Sequence, residues 1–260
     1  MNRDEQRAVA TQFGVAVEQV ERDHLISHLL AFFSREFGDR IHFIGGTALA
    51  RTHLPDGRLS EDIDLIAIGD RKAVVADLDA AVPRALSRTH GRLILDPALS
   101  HVPDTRPSLL RTAAGLSVRL QLLSSRDRTV WPTERRSLVQ RYADAPAAQL
   151  LVPTLPAFAA SKTATWTDRH AARDLWDLWA LDAIGAIDPV AERLYRRYGP
   201  TNQPPAAHDF IRAPAEAEWH TQLAGQTRLT VSAKEALATV RAAWARAIEA
   251  AGRQVRSHQR

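Results

Sequence analysis

Gly45-Gly46-Thr47-Ala48-Leu49 and, beyond a turn at Pro55-Asp56-Gly57, Arg58-Leu59-Ser60-Glu61-Asp62-Ile63-Asp64-Leu65 decide how this chain is read. Ile41 to Ile44 is a short strand that runs straight into the glycine pair, Thr47 to His53 reads as a short helix, and Asp62 to Ile68 is the next strand. Side chains two apart on a strand share a face, so Ser60, Asp62 and Asp64 point one way and Ile63 and Leu65 point into the core. Two carboxylates held side by side repel and call for a cation. Hard oxygen donors at this spacing suit Mg²⁺, which takes one or two carboxylates and fills its shell with phosphate oxygens and water. Glycines at a strand-to-helix junction let an anion approach the backbone, where the following helix offers free N–H groups. Either motif alone is ordinary; the pair, about 16 residues apart, describes a nucleoside-triphosphate site.

Outward from this segment the chain is an ordinary globular one of 260 residues, 45% apolar and 25% charged, with no cysteine and a net charge of +4. The missing cysteines exclude disulfides, a thiol nucleophile and Cys-ligated zinc. No apolar run reaches the ~18–20 residues of a membrane span and the N-terminus is too polar for a signal peptide, so a cytoplasmic protein is expected. Residues 4–38 have one apolar face at helical spacing, 71–88 read as a helix, 92–95 as a strand, and Ser117 to Leu123 alternates cleanly with Gln121 on its polar side. Composition shifts near Pro153, after which helices are predicted from Ala157, over 171–184, 189–198 and 233–250. The expected fold is α+β (mixed α/β), with a mixed core over 1–152 and a helical region over 153–260.

A second cluster lies in the helical half: Lys162, Arg169, Arg173-Asp174 and Asp177-Leu178. The chain holds only three lysines among its 34 cationic residues, so Lys162 in a patterned segment draws attention as a compact charge able to follow a phosphate. The plainer reading is a helical pair packed on Trp166, Trp176 and Trp179, with Asp174 as a helix N-terminal charge.

With both segments in hand, the chain resembles the AbiEii/AbiGii-type nucleotidyltransferase toxins (MenT-like, type IV toxin–antitoxin). The resemblance rests on Gly45-Gly46-Thr47-Ala48-Leu49, Arg58-Leu59-Ser60-Glu61-Asp62-Ile63-Asp64-Leu65, and Lys162 with Arg169, Arg173-Asp174 and Asp177-Leu178, in that order. It implies a DNA polymerase β-type nucleotidyltransferase core and transfer of a nucleoside monophosphate from an NTP, pyrimidines favoured, to the 3′ end of tRNA. It also implies a cognate antitoxin. Carried onto this sequence, Asp62 and Asp64 hold Mg²⁺. Gly45, Gly46, Thr47, Arg58 and Ser60 line the triphosphate, Lys162 contacts phosphate, and Asp174 is a catalytic carboxylate. Such cores usually carry a third metal carboxylate on a neighbouring strand, where this chain offers the neutral Gln121.

Two other functions compete. A small-molecule, antibiotic-type nucleotidyltransferase shares the glycine and Asp-x-Asp chemistry and differs only in its acceptor pocket. A DNA-binding regulator would use residues 8–23 as a helix-turn-helix about Gly14, but Glu18, Glu21 and Asp23 would then face phosphate. His24 and His28 sit i, i+4 on a helix, yet the sequence ties no third ligand to them, so no zinc site is expected.

Overall fold

The computed structural model describes residues 1–126 and 128–258, which divide into two units, Met1–Val152 and the chain from Pro153 onward.

The first unit opens with helices α1 (Arg3–Phe13) and α2 (Val17–Phe37). Residues 4–38 are helical as expected, and the pair divides at Gly14, which adopts a left-handed conformation (φ 69°) and ends α1. The Asn2 side chain caps α1 through the Asp4 and Glu5 amides. Over Leu25–Phe33 α2 is mostly apolar and correspondingly buried. The helix pair packs Val9, Phe13 and Val20 against Leu59 and Tyr142, the role of a core-capping pair.

Next come β1 (Ile41–Ile44), α3 (Gly45–Ala50), β2 (Asp62–Ala67) and α4 (Arg71–Ala81), then β3 (Ile94–Asp96), β4 (Ser108–Arg111), β5 (Ser117–Ser124), β6 (Thr133–Ser137) and β7 (Gln149–Pro153). The strands form one seven-stranded mixed sheet in the order β3-β4-β5-β2-β1-β7-β6. β2 lies at its middle, antiparallel to β1 with Ile44 opposite Asp64, and parallel to β5 with Asp62 opposite Arg119 and Asp64 opposite Gln121. The alternation in β5 is realised as expected, with Val118, Leu120 and Leu122 buried and Arg119 exposed.

A buried ion pair fixes the far end of α3. Arg51, immediately after the helix, donates to the Asp23 carboxylate of α2 at 2.8 Å, and both side chains are almost fully buried. The Tyr142 hydroxyl donates to the other Asp23 oxygen at 2.9 Å, so one carboxylate ties α2, α3 and the β6–β7 loop together. A buried charge kept this way must be hydrogen-bonded at both oxygens, and it is.

The second unit is built from α5 (Leu155–Arg169), α6 (Ala172–Ala183), α7 (Pro189–Tyr198), α8 (Glu216–Leu223) and α9 (Ala233–His258). Its core is aromatic. Trp166, Trp219 and Trp244 are buried, and the first two donate their indole N–H to the carbonyls of Asp209 and Val231. Among the described residues no helix is long and apolar enough to cross a membrane.

Candidate active site

β1 delivers the chain straight into the glycine pair, and the β1–β2 register sets Gly45 beside Asp64. Gly45 has φ +80°, and a Cβ there would stand 2.5 Å from Asp64 Oδ2. A Cβ on Gly46 would stand 2.7 Å from Arg58 Nη2 and 3.3 Å from Ser60 Oγ. The absence of side chains at both glycines is therefore what lets this turn close onto Asp64, Arg58 and Ser60. Five of the sequence-predicted residues thus converge on one spot.

Thr47 also belongs to the cluster, though by bracing. Its side chain is buried and its hydroxyl donates to the backbone carbonyl of Asp62, fastening α3 to the start of β2. Asp62 and Asp64 are both half-buried on one face of β2, while Ile63 and Leu65 are fully buried on the other. The Arg119 guanidinium, itself largely exposed, reaches to 3.9 Å from Asp62. Arg58 and Ser60 are buried, and Arg58 donates to the Leu59 carbonyl at 3.3 Å. Gln121 holds the position next to Asp64 on β5, where its amide donates to the Asp104 carbonyl at 2.9 Å.

Gly45→Ala is expected to destabilise the protein by about 1–3 kcal/mol, since it combines a left-handed backbone with an overlap at Asp64. Gly69 shares the φ of +80° but has nothing within 4 Å of its notional Cβ, so Gly69→Ala bears the conformational strain alone. Denaturant titration of the two variants measures the difference. Equal losses would mean that the Gly45 contact with Asp64 carries no weight.

The helical unit holds its own polar cluster. Lys162, in the middle of α5, places Nζ 3.1 Å from Asp174 Oδ1 and 2.6 Å from Asp177 Oδ2. Arg169, in the last turn of α5, grips Asp174 with Nε to Oδ2 at 2.7 Å and Nη2 to Oδ1 at 3.0 Å. His170 in a left-handed conformation (φ 51°) ends α5 and turns the chain into α6, whose first turn carries Asp174. Asp174 is fully buried. Burial alone would raise its carboxyl, but Lys162 and Arg169 outweigh that and hold it at about 2. Of the three tryptophans in the plainer reading, Trp166 on α5 and Trp176 on α6 are buried and Trp179 is half-buried.

A mixed sheet that sets a glycine-pair turn against two alternating carboxylates is the core of a nucleotidyltransferase. The family model "Nucleotidyl transferase AbiEii toxin, Type IV TA system" matches residues 29–257, so the chain belongs to the AbiEii nucleotidyltransferase toxins of type IV toxin–antitoxin systems. Among solved structures it is similar to MenT4, the nucleotidyltransferase toxin Rv2826c of Mycobacterium tuberculosis H37Rv, at 24% identity and a TM-score of 0.70, covering 92% of this chain and 88% of that one. A second similar structure is an antigenic nucleotidyltransferase-like protein from Paracoccidioides brasiliensis, at 15% identity and a TM-score of 0.41, covering 68% of this chain and 85% of that one. A search of curated proteins found no match.

Proposed function

We propose that this toxin is a Mg²⁺-dependent enzyme that transfers a nucleoside monophosphate from an NTP, a pyrimidine one by preference, to the 3′ end of tRNA, releasing pyrophosphate and blocking translation. The single observation that carries the reading is the closure of Gly45-Gly46 onto Asp64, Arg58 and Ser60. Nothing but a small, backbone-lined turn fits there, and backbone amides beside a guanidinium and a hydroxyl are a cradle for phosphate oxygens.

Asp62 and Asp64 suit Mg²⁺. They are hard oxygen donors alternating on one half-buried strand face, and Arg119 at 3.9 Å balances Asp62 only loosely. When bound, the ion would polarise the transferred phosphate and offset charge on the oxygens around it. The chain's own residues do the rest. Arg58 and Ser60 orient the triphosphate against the glycine turn, and Thr47 keeps the start of β2 in register with α3. Gln121 in place of a third carboxylate leaves two acidic ligands on the sheet, a set that binds one ion more firmly than two.

For Lys162 the role on phosphate stays as the family resemblance implies. For Asp174 we favour holding Lys162 over accepting a proton, because a carboxylate at about 2 with cations on both oxygens is a weak base. The acceptor is assigned to nucleic acid on the resemblance and on a sequence pI of about 9.9. A cytoplasmic location and an antitoxin that silences the enzyme complete the proposal.

The test is incubation of the purified protein with total tRNA, Mg²⁺ and each α-labelled NTP in turn. Label entering tRNA from a pyrimidine NTP, and only with Mg²⁺, is the expected result. Label entering an aminoglycoside instead would establish the small-molecule alternative.

A further inference from the structure

We propose that the first unit carries a second metal site, for Zn²⁺, made by His24, His28 and Asp144. The three come from two places that the fold brings together. His24 and His28 project one turn apart from α2. Asp144 lies in the β6–β7 loop, two residues beyond Tyr142, whose hydroxyl is bonded to Asp23 on that same helix. The Tyr142 ring also stacks edge-on to His24, with centroids 4.9 Å apart. The loop is thus held against the histidines by contacts that do not involve the ligand atoms.

The spacing fits a tetrahedral ion. Metal–ligand bonds of about 2.0–2.1 Å require neighbouring ligand atoms roughly 3.3 Å apart. His24 Nε2 lies 3.1 Å from His28 Nε2 and 3.0 Å from Asp144 Oδ1, and His28 Nε2 lies 3.8 Å from Asp144 Oδ2.

The cluster opens into a cavity of about 360 Å³ whose other walls include Glu21, Thr89, His90 and Leu116. The His90 ring stands 5.1 and 5.2 Å from those of His24 and His28, so a third imidazole lies beside the pair. The Met1 amino group also faces the cluster, bonded to Asp144 and 3.3 Å from His24 Nε2. Two imidazoles and one carboxylate select Zn²⁺ over Mg²⁺, in contrast to the all-oxygen pair on β2. The ion would clip the β6–β7 loop to α2.

The test uses the full chain after chelator treatment, titrated with Zn²⁺ by calorimetry and with Co²⁺ by visible absorption. One equivalent should bind, with the intense bands of tetrahedral Co²⁺ and a rise in melting temperature. His24→Gln and Asp144→Asn should each weaken binding by about 100-fold or more. Asp144→Asn alters a half-exposed loop residue, so it keeps the test open if the helix variant folds poorly. Asp62→Asn should bind Zn²⁺ as the parent does. Three results would overturn the site: no uptake, which leaves the Met1 amine and hydrogen bonds holding the cluster alone; uptake that neither variant changes; or uptake lost in Asp62→Asn.

Discussion

Asp64→Asn should lower nucleotidyl transfer by roughly 10³-fold, equivalent to about 4 kcal/mol of transition-state stabilisation, with little change in folding. The substitution keeps shape and removes one charge. Asp64 sits on a strand paired on both sides, with Ile44 on β1 and Gln121 on β5, so the backbone has no reason to move. No acidic neighbour stands at the paired positions to take over, because Gln121 is neutral and Ile44 apolar. Asp62→Asn should act in the same direction. There the Arg119 guanidinium 3.9 Å away loses a partner but is largely exposed and can turn to water. The initial rate of labelled NMP transfer, read beside the thermal midpoint, checks both variants. A rate within tenfold of the parent for Asp64→Asn, in a folded protein, would remove the β2 carboxylates from the chemistry.

These residues were legible in the sequence because their chemistry and their period agree. The two-residue repeat of apolar and acidic positions on β2 gains its reading from the glycine pair about 16 residues before it, and the alternation of β5 is plain by itself. The helices of the second unit were legible for the same reason, although α8, Glu216–Leu223, is short and was not expected. Of the other four strands the sequence shows only β3, as 92–95, and weakly, since Ile94 is exposed and the strand has three residues; β4 after Pro107, the polar edge run Thr-Glu-Arg-Arg-Ser of β6, and β7 where the composition changes were not expected. Short or edge strands owe their conformation to ladder partners far along the chain, which local pattern does not record. The same limit hid Asp144. His24 and His28 show their spacing on α2, but the third ligand is 116 residues beyond His28 and only the Tyr142–Asp23 bond reveals why it arrives there. The break between α1 and α2 is legible at Gly14, the one glycine inside residues 4–37.

The helical unit should rank its polar variants by burial rather than by charge. Lys162→Met removes the cation shared by two buried carboxylates, Asp174 at 3.1 Å and Asp177 at 2.6 Å, and is expected to cost about 3–5 kcal/mol. In a chain of this size that is a fall of roughly 10 °C in melting temperature. Asp174→Asn should cost less, because Lys162 keeps Asp177. Arg169→Gln should cost least, since more than half of that side chain is exposed and Asp174 keeps Lys162. The pH dependence has a definite sign. The Asp174 carboxyl is depressed from 3.8 to about 2 on folding, so its contribution of about 2 kcal/mol is complete above pH 3.8 and is lost as pH falls through 2. Acid titration of stability should therefore be shallower in Lys162→Met than in the parent below pH 4, with the curves parallel near neutrality. If Arg169→Gln proved as damaging as Lys162→Met, the exposed half of the cluster would be holding Asp174, and the ranking by burial would fail.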